Sequence, residues 1–167
     1  MTKPIIAGVD GSVVSIEALR WAIDEATRRG TTVIAVNAWH SDPTTAGLSK
    51  LDLIQLRPRS EVLDAQLKLL EGAVHDAGGD AADVEIAQQL LEGQPGPALV
   101  QAAANADLLV VGSHGYNRLY EALLGSVSSY CVHHAPCPVV VIPDVHRKHE
   151  KEPVTADAPP LTVGPLF

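Results

Sequence analysis

A chain of 167 residues suits one domain with a well-filled core and a short appendage. Apolar residues make up 46% and aromatics only 4%, the composition of an aliphatic interior typical of sheets buried on both faces. A net charge of −8 argues against non-specific nucleic-acid or anionic-membrane binding, since both need a basic surface, but it does not forbid a local cationic pocket.

Ile5 to Val9 is a short apolar run ended by Asp10-Gly11-Ser12, which reads as a central strand and a turn. Ser15 to Arg29 carries Ile16, Leu19, Ala22, Ile23 and Ala26 at helical spacing, and Gly30 is placed to stop that helix. Thr32 to Ala38 is a second buried strand, so the unit is βαβ, parallel and right-handed. His40 to Pro58 is a loop long enough to act as a lid. A helix from about Ser60 puts Leu63, Leu67, Leu70, Val74 and Ala77 on one face and ends at Gly78-Gly79. Val84, Ile86, Gln88 and Leu90 alternate in a less apolar strand, placed near an edge. Gln94-Pro95-Gly96-Pro97 turns into a helix over Ala98 to Ala106, followed by a strand from Asp107 to Val111.

The strand stops at Gly112-Ser113-His114-Gly115, and Gly125-Ser126-Val127-Ser128 follows nine residues later. Positive φ at Gly112 and Gly115 would let backbone N–H groups converge in an anion nest. Ser126 is expected to cap a helix running to His134, with Val127, Tyr130, Cys131 and His134 on one side and free amides at its start. Pro138 to Ile142 supplies a last apolar strand. Cys131 falls on the apolar helix face as a buried thiol, and with Cys137 it makes neither a metal-ligand spacing nor a disulfide framework. Residues 144–167 combine a charged run with Pro153, Pro159, Pro160 and Pro165, and read as a flexible tail to a domain spanning 1–143.

The spacing Gly112-x2-Gly115-x9-Gly125-Ser126, set between a strand and a helix, resembles the nucleotide-binding signature of the universal stress protein family, in its ATP-binding branch. The resemblance implies an α/β fold with a five-stranded parallel sheet of order 3-2-1-4-5, Rossmann-like, with helices on both faces. Ligands of such sheets bind outside the strand ends where the order switches, here between strands one and four. Gly8, Val9, Asp10 and Ser12 emerge there, beside Gly112, Ser113 and His114. A bare carboxylate at Asp10 would repel a triphosphate unless Mg²⁺ lies between them; its alternative role is to form an Asx turn before the first helix. The resemblance puts Ala38 at the adenine edge and the phosphates on the amides of Gly115, Gly125, Ser126 and Val127, with the hydroxyls of Ser126 and Ser128. Val9, Val36 and Val111 would wall the base, and Arg118 offers a cationic contact.

The expected ligand is therefore ATP with Mg²⁺, and the expected role is nucleotide-dependent regulation in stress response. No P-loop lysine, Gly-x-Gly-x-x-Gly after the first strand or evident catalytic triad is present, so hydrolysis is expected to be slow or absent. The alternatives are a slow ATPase or adenylyl-transfer enzyme, and a homodimeric scaffold that takes AMP, cyclic AMP or no nucleotide. The resemblance implies a homodimer paired through Val139, Val140, Val141 and Ile142, which an apolar edge strand favours. Met1-Thr2-Lys3-Pro4 runs straight into the first strand without a signal-peptide pattern, and the expected location is cytoplasmic.

Overall fold

The computed structural model describes residues 2–39, 59–114 and 124–144. The expected lid (His40 to Pro58), Gly115, Arg118 and the tail beyond Asp144 lie outside them. Along the chain come β1 (Ile5–Gly8), α1 (Val13–Arg29), β2 (Val33–Trp39), α2 (Arg59–Asp76), β3 (Ile86–Glu92), α3 (Pro95–Ala102), β4 (Leu108–Gly112), α4 (Ser126–His134) and β5 (Val139–Ile142). All four strand pairings are parallel, and the order is β3-β2-β1-β4-β5, as the resemblance implied.

The period-2 alternation of the central strands divides the core into two layers. Ile5, Ala7, Val33, Ala35, Leu108 and Val110 face α1 and α2, where they meet Ala18, Leu19, Ala22 and Leu70. Ile6, Val36, Leu109 and Val111 face the other way, onto Leu99 of α3 and Cys131 of α4. The apolar stripe of α1 is the one read from sequence, and the helix ends at Gly30, whose left-handed backbone (φ 63°) returns its N–H to Ala26 and Thr27. That conformation is strained for any residue with a Cβ.

Some boundaries moved. α3 starts at Pro95, three residues before the expected Ala98, because proline fits a first helical turn whose N–H groups lack partners anyway. In α4 the buried positions are Ser128 and Cys131, whereas Tyr130 and His134 are exposed and stack on each other at 4.0 Å between ring centroids. A nine-residue helix with weak apolar periodicity leaves its rotation to the tertiary contacts.

Candidate functional site

A cavity of about 550 Å³ opens at the carboxyl ends of β1 and β4, where the strand order reverses. Small residues create it. On the face that carries Ile6 and Val36, the strand ends bear Gly8 and Ala38, so the layer that is filled by side chains lower down is vacant here. α3 closes one side with Pro95 and Leu99, and the first turn of α4 closes another with Ser126, Val127 and Ser128.

The two helix starts differ in chemistry. In α3 two of the first three positions are Pro95 and Pro97, which have no N–H, so that end is poor in donors. α4 has no proline in its first turn and no side-chain cap, so the first-turn amides of Ser126, Val127 and Ser128 lack intrahelical acceptors. The cavity thus has an apolar end, built from Val36, Ala38, Pro95 and Leu99, and a donor-rich end at α4. Asp10, exposed, and His114 are the titratable side chains among its described lining residues.

Of the residues singled out from sequence, Gly8, Val9, Asp10, Ala38, Gly112, His114, Gly125, Ser126, Val127 and Ser128 line this cavity. Ser12 and Ser113 do not. Ser12 is the N-cap of α1, its hydroxyl accepting from the Ser15 amide at 3.2 Å. Ser113 is buried beneath the wall and bonded to several backbone groups.

Three details differ from the sequence reading. The N-cap of α4 is Gly125, not Ser126, and its amide is not free, because it donates to the Ser113 carbonyl at 2.7 Å. Glycine suits this close approach, since a Cβ would stand 3.3 Å from that carbonyl oxygen, a tight contact. Gly112 does not take the positive φ expected of a nest. It is still the last residue of β4, in register with Ile142, and a Cβ would lie 2.8 Å from Val14 Cγ1. The hydroxyl of Ser128 donates to the carbonyls of Ser113 (2.9 Å) and Gly125 (3.0 Å), which clips the helix start to the end of β4.

Asp10 forms the Asx turn: its Oδ1 accepts from the Ser12 amide at 2.9 Å. The positive φ in this region belongs to Gly11 (84°), inside that turn. Ser15, Pro95, Leu99 and Leu124 also line the cavity and escaped the sequence reading. The Pro95–Leu99 spacing of four, one helical turn, marks a shared face, but nothing local says which strand ends that face covers. Asn37 escaped it as well. Buried in β2, it donates from Nδ2 to the Val9 carbonyl at 2.8 Å and so holds the chain as it leaves β1 for Asp10.

Burial pushes the Cys131 thiol up to about 11, which keeps it protonated and unreactive behind the cavity wall. No group of three or more metal-ligating side chains occurs among the described residues, and no described helix is long and apolar enough to cross a membrane.

Comparison with known proteins agrees with this architecture. A universal stress protein of Mycobacterium tuberculosis is 41% identical over 140 residues, a match covering 83% of this chain and 44% of that protein. The chain thus spans under half the length of that relative. The universal stress protein UspA of Lactobacillus plantarum superposes with a TM-score of 0.67 at 26% identity, covering 84% of this chain and 97% of that one. A universal stress protein solved in complex with cAMP superposes with a TM-score of 0.59, also at 26% identity, over 84% of this chain and 95% of the other. Residues 1–143 match the universal stress protein family as a whole, and the chain belongs to that family.

Proposed function

We propose that the cavity binds an adenine nucleotide, ATP with Mg²⁺, and that occupancy regulates the protein's shape or partners in stress response. The polarised cavity carries this reading. Its apolar end suits a purine and its α4 end suits phosphate, at a volume within the range of small-molecule sites. The base lies against Val36, Ala38, Pro95 and Leu99, and the phosphates meet the amides of Ser126, Val127 and Ser128.

Magnitudes favour a cation. A helix start carries roughly half a positive charge, far less than a triphosphate requires. No Lys or Arg is among the described lining residues, and Asp10 adds a negative charge. Mg²⁺ would offset that charge, with Asp10 as the residue that would hold it; Gly115 and Arg118, named from sequence, lie outside the described residues. Without a P-loop lysine or a recognisable water-orienting residue in the sequence, the site is built to hold ATP more than to cleave it, and hydrolysis, if present, is slow.

We further propose a cytoplasmic homodimer paired through β5. Val139–Ile142 is an edge strand whose four residues are all part-exposed, and an uncovered apolar edge favours pairing with a second copy. A second reading, binding of cyclic AMP or AMP, is favoured by the relative solved with cAMP.

Isothermal titration calorimetry separates these readings. Heat on adding ATP that requires Mg²⁺ supports the first; heat with cyclic AMP and AMP but none with ATP supports the second. No heat with ATP, ADP, AMP or cyclic AMP refutes both.

A further inference from the structure

We propose that Ser113 couples the anion-binding end of the cavity to the chain that leaves β5. Ser113 is buried and makes five hydrogen bonds, to Ile142, Gly125, Ser128, Asp144 and His114. Its N–H donates to the Ile142 carbonyl at 2.7 Å. Its carbonyl accepts from the Gly125 amide at 2.7 Å and from Ser128 Oγ at 2.9 Å. Its Oγ accepts from the Asp144 amide at 3.2 Å and pairs with His114 Nδ1 at 3.1 Å. One residue therefore joins the end of β5, the start of α4 and a histidine in the cavity wall.

The Ser113 hydroxyl is the shared point of the network. Asp144 N–H is a donor, so Ser113 Oγ must accept from it, and a hydroxyl can donate only one proton in return. With two acceptor lone pairs and one proton, the hydroxyl holds the Asp144 amide and the His114 ring at once, whichever tautomer the ring takes. Ser113 is a positioning residue for the His114 ring, through the 3.1 Å contact to Nδ1. Because Ser113 also holds Gly125 and Ser128, a movement of the first turn of α4 reaches Ile142 and Asp144 through the same residue. Coupling of this kind is reciprocal, so a partner that shifts the chain after β5 alters the cavity wall in turn. The part of this proposal that concerns an anionic ligand rests on the nucleotide reading above.

The test uses the full chain, labelled with ¹⁵N. Amide exchange at Asp144 is expected to accelerate about fivefold in Ser113→Ala, the equivalent of one hydrogen bond of about 1 kcal/mol. Ser113→Thr, which keeps the hydroxyl, should restore the slower rate. His114→Gln leaves Asp144's own acceptor in place, so faster exchange there shows transmission through Ser113, and an unchanged rate overturns the coupling even if Ser113→Ala fails to fold. ATP with Mg²⁺ forms a separate arm. Heat of binding without any change in Asp144 exchange refutes coupling to the ligand, whereas no heat refutes the nucleotide reading and the free-protein measurements still decide the linkage.

Discussion

Gly112→Ala tests why glycine ends β4. The new Cβ would stand 2.8 Å from Val14 Cγ1 and 3.2 Å from the Val14 backbone carbon. Val14 is buried in the first turn of α1, and a β-branched side chain in a helix has essentially one χ1 rotamer, so it cannot swing aside. Relief must come from shifting α1 against β4, at a cost of about 1–3 kcal/mol for overpacking. The lower chain entropy of unfolded Ala returns roughly 0.4–1 kcal/mol, leaving a net destabilisation of about 1–2 kcal/mol. For a protein of this size that lowers Tm by about 2–4 °C per kcal/mol. Urea unfolding followed by circular dichroism measures it, in wild type, Gly112→Ala, Val14→Ala and the double variant. Val14→Ala alone should destabilise by roughly 1.5 kcal/mol or more, from two lost methyl groups at about 0.8 kcal/mol each. The double variant should be more stable than the sum of the singles by about 1 kcal/mol, because Val14 Cγ1 is gone. Wild-type stability in Gly112→Ala, or strict additivity, would refute the close-contact argument. A requirement for positive φ predicts no rescue by Val14→Ala, so the cycle separates the two explanations.

Asp10→Asn keeps an oxygen for the Ser12 amide while removing the charge, so stability by urea unfolding should stay within about 0.5 kcal/mol. Mg²⁺-dependent ATP affinity measured by calorimetry should nevertheless fall at least tenfold; equal affinity would remove Asp10 from the proposed metal site. Gly11→Ala puts a Cβ on a residue at φ 84° and 3.0 Å from Leu69 Cδ1, and should destabilise by about 1–2 kcal/mol in the same unfolding assay. The Cys131 thiol, raised from 9.0 to about 11 by burial, stays protonated in the folded protein while the unfolded thiol ionises. Its contribution to stability is complete below pH 9 and declines as pH rises from about 9 to 11. Cys131→Ala should flatten that part of the stability–pH curve relative to wild type, and parallel curves would contradict the assignment. Sedimentation velocity of the full chain should show a dimer at micromolar concentration, and a monomer would refute pairing through β5.

The strands, α1 and the glycine motif were legible in sequence because each is encoded locally. Runs such as Ile5–Gly8 and Leu108–Gly112 are apolar on both faces, as a parallel strand between two helical layers must be. Gly112 and Gly125 both line the cavity, but glycine stands there for a different physical reason than the one read from sequence. Local chemistry suggests backbone conformation, whereas both glycines stand where backbone and side chains from distant segments come close. The same limit explains the shift of the N-cap from Ser126 to Gly125. A serine beside a helix start signals capping, yet the hydroxyl that secures this start belongs to Ser128 and reaches back to Ser113, fifteen residues earlier.

By itself, then, the sequence determined the parallel α/β class, the family resemblance and the strand ends that meet at the switch point, because periodicity and short motifs act over a few residues. Tertiary structure decided what surrounds the cavity and how its wall is held. Leu99 and Pro95 became lining residues only when α3 packed across Gly8 and Ala38. Asn37 gained its role from a bond to Val9, twenty-eight residues away in sequence. Ser113, expected at the ligand, became the buried junction of β4, α4 and the chain after β5, since its partners are adjacent only once the sheet has formed.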